Sequence, residues 1–339
     1  MEVKTKRILI ACVTLAIIIL MIVYVDFQTI LVNLQRISIW GIFLFFVIYT
    51  LAFIFRAFKL KLVFNGINLE PNYFIIYGAI GTGWAINELT PAKLGDFVKM
   101  EYIRQKEHNF PLSKCLCAVL IDRFIDLIIL FSITCFALLY IYLSSATYIT
   151  QLNLDFFIII GAIILFIGVI GLTLLFFKTD WILSITDRIS PKLKNLLEKF
   201  IVRFVEGLKD IRKDKKRIIL ILLYNIPTWL FESLTLVLIF YFVGFQMNIF
   251  IIMLAQIVTF FTKTIPITPG GWGVSEIIGA LLLSVFYPAI PYNEILSVFI
   301  LDHILRVVYV FIYGGISTVA INFKFKDINT EKFKNSNSL

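Results

Sequence analysis

Two stretches of the chain set proline, glycine and ionisable residues inside regions otherwise built from Phe, Ile, Leu and Val. One reads NELTPAKLGDFVK over residues 87–99 and the other KTIPITPGGWGVSE over residues 263–276. Both contain Thr-Pro-x-x-x-Gly, at Thr90-Pro91…Gly95 and at Thr268-Pro269…Gly273. In the second, Lys263 and Glu276 flank a Pro-Gly-Gly break. Backbone N–H groups that open a helix near Val274 have no intrahelical acceptor, and with the positive end of the helix dipole they favour an anion. A phosphate-bearing headgroup is an anion that a membrane supplies. Gly270, Gly271 and Gly273 would let it reach the main chain, and Lys263 would add a point charge. The same residues also suit a tight packing turn with Lys263 snorkelling to the interface.

Nine ionisable residues fall inside apolar segments: Glu88, Asp122, Arg123, Asp126, Glu232, Lys263, Glu276, Asp302 and Arg306. A charge at the centre of a bilayer costs on the order of 3 kcal/mol even on lenient insertion scales, so together they require a polar interior or cavity. Helical spacing pairs Arg123 with Asp126 and Asp302 with Arg306. Asp126, Asp302 and Arg306 therefore read either as structural ion pairs or as substrate contacts. Asp122, Glu276 and Asp302 are the candidates for proton-coupled neutralisation. His108 and His303 are the two imidazoles, and no nucleotide-binding or metal-ligand constellation accompanies them. Cys115-x-Cys117 has no third or fourth ligand nearby and reads, with Cys12 and Cys135, as packing thiols. No metal, no cofactor and no catalytic residue is expected.

The elements that must position these residues are membrane helices. Of 339 residues 60% are hydrophobic and 16% charged, and the mean hydropathy is +0.94. A soluble domain carries about 25% charge. Spans are expected at about 8–25, 37–55, 115–143, 154–177, 218–243 and 295–321, each near the 20 residues a hydrocarbon core needs. The basic start MEVKTKR precedes a run long enough to span, with no A-x-A-like cleavage site after it, and is expected to be a retained first helix. Residues 73–98 and 249–287 are instead short apolar runs broken by Gly and Pro, which more often dip into the membrane and return.

Of the 31 Lys and Arg residues, 27 lie in segments 1–7, 56–72, 91–114, 178–217 and 322–339. The positive-inside rule makes these cytoplasmic, with both termini inside the cell membrane. That alternation closes if 73–98 enters and leaves from the cytoplasmic face and 249–287 from the outer face. The net charge of +9 then reflects topology and contact with anionic lipid rather than nucleic acid. Each Thr-Pro is followed about thirty residues on by an acid in the next span, in DRFID (Asp122, Arg123, Asp126) and DHILR (Asp302, His303, Arg306). The same motif order on opposite sides describes an inverted-topology repeat, a known way of building transporters.

The expected architecture is an all-α integral membrane protein of about six spanning helices and two re-entrant helical hairpins. Repeat A covers about 37–143 and repeat B about 218–321, within one polytopic membrane domain over 1–322. Residues 190–211 form an amphipathic helix, opened by Ser190-Pro191, with Leu193, Leu196, Leu197, Phe200, Ile201, Phe204, Val205 and Leu208 on one face. It reads as a cytoplasmic helix lying on the anionic leaflet or docking a soluble partner. Residues 323–339 read as a disordered tail.

These residues resemble the integral-membrane family named after the transmembrane region of lysylphosphatidylglycerol synthase, the flippase-like proteins, over roughly residues 8–322. The family's Pro-x-x-x-Gly-acid-x-x-basic element appears as Pro91, Gly95, Asp96 and Lys99, with Asp for the common Glu and Lys for the common Arg. Asp122, Arg123 and Asp126 match its acid-Arg…Asp element. Pro266, Pro269, Gly270, Gly271, Gly273 and Glu276 match Pro-x-x-Pro-Gly-Gly-x-Gly-x-x-Glu in full, and Arg306 followed by Tyr309 fits the closing helix. The resemblance implies that a phospholipid or polyprenyl-linked lipid moves between leaflets. Its headgroup is expected near Arg123, Lys263, the glycine turn, Glu276 and Arg306, with Pro91, Gly95, Asp96 and Lys99 on the facing hairpin. Larger members carry a soluble domain that makes the aminoacylated lipid. This sequence ends at Leu339, so lysyl transfer is not expected. Two other readings remain: an intramembrane transferase acting on a lipid phosphate with Glu276 or Asp96 as base, and a scaffold for a soluble lipid-modifying enzyme.

Overall fold

A computed structural model describes residues 26–90, 94–107, 110–143, 204, 206–264 and 267–320, and among these the regular structure is entirely helical. In chain order the helices are α1 (Phe27–Arg36), α2 (Ile39–Gly66), α3 (Tyr73–Leu89), α4 (Gly95–Lys106) and α5 (Leu112–Leu143). After them come α6 (Lys215–Val243), α7 (Ile249–Thr262), a single 3₁₀ turn (Pro269–Gly271), α8 (Val274–Phe286) and α9 (Tyr292–Ala320). The expected spans at 8–25 and 154–177, the start of the amphipathic helix and the tail at 323–339 lie outside the described residues.

Side chains fix where the helices begin. Ser38 accepts from Gly41 N–H ahead of α2, and Asp214 accepts from Arg217 N–H ahead of α6. Asn72 and Asn248 do the same for α3 and α7, accepting from Phe74 and Phe250 N–H at 2.8 and 2.9 Å. These side chains satisfy donors that a helix start leaves open. Pro111 and Pro291 stand immediately before α5 and α9, and their carbonyls accept from Cys115 and Ile295 N–H. Proline suits that position because it has no N–H to leave unpaired.

Five helical stretches are long and apolar enough to cross a membrane. Four are α2, α5, α6 and α9, in the expected places. The fifth, Pro269–Phe286, reaches 18 residues only by joining the 3₁₀ turn to α8 across Trp272 and Gly273. Gly270 has φ 61° and ψ −3°, which interrupts the helix, and α8 alone has 13 residues, about 20 Å at 1.5 Å per residue. α3 and α7, at 17 and 14 residues, are also short.

The segments pack in a regular order. α2 lies along α6, α3 pairs with α4, α7 pairs with α8, and each pair leads into its closing helix, α5 or α9. The first arm of each pair crosses to the other half: α3 packs on α9, and α7 on α5. Apolar side chains point outward, with Ile39, Trp40, Leu143 and Val319 all well exposed, while charges point inward. This inversion of the soluble pattern is what a lipid solvent demands.

Three basic residues assigned above to cytoplasmic loops belong to the interior. α2 continues past residue 55 to Gly66, because hydropathy thins there while no helix breaker intervenes. Arg56 and Lys59 are thus buried at 2% and 0% exposure, and Lys99 on α4 is buried at 2%. Most of the expected amphipathic helix lies outside the described residues; residues 206–213 are helical, and this end packs against α2 and α5. A Cβ at Gly207 would lie 2.7 Å from Cys117 Sγ, and one at Gly66 would lie 2.5 Å from Ile211 Cγ1. Phe204 meets Phe124 edge-on at 5.6 Å.

Candidate functional site

The interior charges form three connected groups. The first joins α2, α4 and α5. Asp96, in the first turn of α4, accepts from Arg123 Nε at 3.0 Å and Nη2 at 2.8 Å, the bidentate fork that suits guanidinium and carboxylate. Lys99 Nζ lies 3.2 Å from Asp96 and 3.9 Å from Asp122. Arg123 Nη1 reaches Asp126 at 3.3 Å, as its helical spacing predicts. Lys59 bridges Asp122, at 2.9 Å, and Asp126. Three acids face three bases, so the group balances its own charge.

The second group centres on His303 of α9. Its Nδ1 bonds to Glu276, and its Nε2 lies 3.1 Å from Glu88 Oε2 and 3.3 Å from Lys263 Nζ. Trp272 stacks on the ring with centroids 4.2 Å apart. Glu276 also accepts from Gly273 N–H at 2.6 Å and from Ser275 Oγ at 2.9 Å. This alters the reading of the glycine turn. The anion that the start of α8 attracts is supplied internally, by Glu276 three residues into the helix. Gly270, Gly271 and Gly273 all have φ between 61° and 83°, a region that costs other residues strain. They also bring backbone close to the charges: a Cβ on Gly271 would meet Lys263 Cγ at 2.5 Å, and one on Gly270 would meet Glu88 Oε2 at 2.5 Å.

The third group lies between α2, α6 and α9. Arg306 donates to Asp302 at 2.6 Å, to Thr235 Oγ1 at 2.6 Å and to the Glu232 carbonyl at 2.7 Å. Its guanidinium lies 5.0 Å from the centre of the Tyr49 ring. Arg56 Nη2 bonds to the Glu232 carboxylate. The guanidinium of Arg56 sits among three aromatic rings, 4.4 Å from Trp84, 5.5 Å from Trp229 and 5.6 Å from Phe53.

Two adjoining hollows separate these groups. One has a cavity volume of about 50 Å³ and lies between Trp84, Trp229, Gln256, Lys263, His303 and Arg306. The other, also about 50 Å³, runs between the two Thr-Pro elements, past Thr90, Arg123, Thr268 and Gly270. Trp84, Glu88, Phe260 and Lys263 line both. Arg123 and Lys263, named from widely separated motifs, therefore face one space.

Most expected site residues are brought together. Gly95, Asp96, Lys99, Asp122 and Arg123 meet in the first group, Lys263, Gly270, Gly271, Gly273 and Glu276 in the second, and Asp302 and Arg306 in the third. Pro91 and Pro266 lie outside the described residues. Arg56, Lys59, Trp84, Trp229, Gln256 and Trp272 were not anticipated, and neither was the central position of His303. The signal available in the sequence was positional. Arg56 and Glu232 are 176 residues apart, the same interval that separates the caps Ser38 and Asp214 and the caps Asn72 and Asn248.

A multi-pass helical membrane protein with a polar, charge-lined interior is the class that this fold and site define. The chain matches the family described as lysylphosphatidylglycerol synthase TM region over residues 8–314, and it belongs to that family. Relatives include the UPF0104 membrane protein MJ1078 of Methanocaldococcus jannaschii, 30% identical over 68% of this chain and 92% of the relative. The UPF0104 membrane protein PH1989 of Pyrococcus horikoshii is 24% identical over 83% of this chain and 88% of that protein. The UPF0104 membrane protein MJ1595 of M. jannaschii is 21% identical over 98% of this chain and 100% of its own length. No solved structure matches the chain.

Proposed function

We propose that the protein is a lipid translocase of the cell membrane, built as an inverted-topology repeat. In this reading the lipid headgroup is held between two re-entrant hairpins, α3–α4 and α7 with α8. The observation that carries the proposal is the pair of adjoining hollows, one of them between the two Thr-Pro elements, lined by buried charge and reached by short, broken helices. Transporters place substrates at such breaks, near the midplane between repeats.

Matching contacts support the repeat. Ser38 and Asp214, Asn72 and Asn248, and Pro111 and Pro291 open corresponding helices, and the packing order of α2–α5 is reproduced by α6–α9. Asp96 takes Arg123 as its partner, and 180 residues later Glu276 takes His303. Lys59 contacts Asp122 and Asp126 where Thr235 contacts Asp302 and Arg306.

Opposite entry of the hairpins is tested by labelling. In a variant lacking the four native cysteines, Lys93→Cys is expected to label from the cytoplasm alone and Asn293→Cys from outside alone. Labelling of both from one face rules out the inverted repeat.

Transport is tested by reconstitution with fluorescent phospholipids. The expected result is protein-dependent movement of label between leaflets with no new lipid by mass spectrometry. A new product instead makes the protein a transferase, and neither result favours a scaffold for a soluble enzyme.

Lys263→Met removes a charge-assisted donor and is expected to weaken lipid binding about ten- to a hundredfold while the fold persists. Glu276→Gln can still cap α8 but cannot release a proton. Transport by this variant is expected to lose its pH dependence while binding remains. Parental behaviour of both variants between about pH 5 and 8 eliminates the glycine turn and its flanking charges from the mechanism.

A further inference from the structure

We propose that His303 is a proton-binding site whose occupancy selects its partner. With both ring nitrogens protonated it ties Glu88 of α3 to Glu276 of α8. With one proton it takes Lys263, at the end of α7, and releases Glu88 to buried donors nearby. The inference concerns bonds within the chain and stands apart from the translocase reading.

The two ring nitrogens face different chemistry. Nδ1 bonds to Glu276, whose carboxylate also accepts the Gly273 N–H at 2.6 Å, so Nδ1 meets an acceptor and keeps its proton. Nε2 lies 3.1 Å from Glu88 Oε2 and 3.3 Å from Lys263 Nζ. An ionised carboxylate only accepts and an ammonium only donates, so Nε2 cannot use both at once. Protonated, it donates to Glu88; bare, it accepts from Lys263. Trp272 lies nearly parallel to the ring, at 15° and 4.2 Å, and holds its plane for either partner.

A released Glu88 has acceptor-seeking groups beside it. Among the described residues its hydrogen-bond partner is His303. Trp84 Nε1, Trp229 Nε1 and Gln256 Nε2 are buried without a partner, and these residues line the same hollow as Glu88 and His303. Trp84 stands about one helical turn before Glu88 on α3. All three atoms are donors, and buried donors without acceptors are uncommon in folded proteins. Glu88 and Lys263 line the second hollow as well, so the exchange of partners takes place where the two hollows meet.

The surrounding charges are engaged elsewhere. On α9, Asp302 and Arg306 bond to each other, and Tyr49 of α2 covers Arg306. Glu232 of α6 and Arg56 of α2 form a second pair. Arg123 of α5, which lines the second hollow, is held by Asp96 and Asp126. α1 meets α9 at Glu294 and Ser297, through Asn33. Glu88, Glu276 and Lys263 are left facing His303. A doubly protonated ring makes these four groups neutral together. Loss of one proton leaves a single negative charge, which the indole and amide donors take up. The bond between Glu88 and His303 is therefore made on the acid side and lost as pH rises.

The test is ¹⁵N NMR of the full chain in detergent, labelled at histidine and tryptophan, with His108→Gln leaving His303 as the single imidazole. As pH rises from about 5 to 9, Nε2 is expected to lose its proton while Nδ1 keeps one. The Trp84 and Trp229 indole signals, assigned with Trp84→Phe and Trp229→Phe, are expected to shift with the same midpoint. Trp40, on the apolar exterior, is expected to stay. Glu88→Gln removes the dependence, because its carboxamide accepts from a protonated Nε2 or, turned over, donates to a bare one. In that variant the indole response is expected to be lost. If it does not fold, the titration of the parent decides. The proposal is overturned by an Nε2 that keeps one state throughout, by loss of the proton from Nδ1, or by indoles that do not follow the ring. Indoles that still respond in folded Glu88→Gln overturn it too. A titrating His303 in a protein that moves no lipid removes the translocase alone, and transport with a silent His303 removes this switch alone.

Discussion

Arg56→Met is expected to lower stability by about 3–5 kcal/mol, because it leaves the Glu232 carboxylate buried without its charge partner. Both groups lie deep, at 2% and 6% exposure, so solvent gives the orphan little relief. The change also empties the space between three aromatic rings, where a desolvated guanidinium gains about 2 kcal/mol from the ring faces. Glu232→Met is expected to be harmful for the mirror reason, since it leaves Arg56 charged with no acid beside it. The double variant Arg56→Met with Glu232→Met is expected to recover much of the loss, because a well-packed apolar pair often matches a buried ion pair. Thermal unfolding of the purified protein, followed by tryptophan fluorescence, orders the four proteins. A single variant as stable as the parent removes the ion pair from any account of how α2 is held to α6.

The second large effect is expected at Gly95→Ala. α3 and α4 approach so closely at Gly83 and Gly95 that a Cβ on Gly95 would lie 1.8 Å from the Gly83 carbonyl oxygen and 2.7 Å from Asn87 Oδ1. Neither atom can retreat cheaply. The first is helical backbone, and the second accepts the Gly95 N–H at 2.7 Å. Overpacking costs about 1–3 kcal/mol where side chains yield, and more where backbone must shift, so a loss of about 3 kcal/mol or more is expected. Because Asp96 and Lys99 ride on α4, the displacement also strains their contacts with Arg123 and Asp122. The expected signs are a lower Tm and weaker lipid binding together. An unshifted Tm shows that α3 and α4 can part without cost.

Much of the helical plan is legible in the sequence, and the reasons are local. The apolar runs that became α2, α5, α6 and α9 exceed what a soluble fold can bury, and Pro-Gly punctuation marks the broken segments. Arg123 with Asp126 and Asp302 with Arg306 are also legible, since helical spacing alone brings each pair together. Lys59 with Asp126 and His303 with Glu88 are not, because they join residues 67 and 215 positions apart and no periodicity links them. Arg56 and Lys59 were misplaced for a different reason. Hydropathy reports where a segment stops being apolar, whereas a helix ends where its backbone is interrupted, here at Gly66. The cap on α8 was within reach, since Glu276 stands three residues after Gly273, the spacing of a capping box.

Arg123 and His303 occupy corresponding places, each facing the acid at the start of the short helix in its own half. A guanidinium keeps its proton throughout the physiological range, while an imidazole gains or loses one within it. Arg123 therefore offers only donors to Asp96 and Asp126, whereas His303 sets one ring nitrogen on Glu276 and the other toward Glu88 and Lys263. Under the proposed repeat, the two halves would share one plan and differ in the chemistry of one position in each.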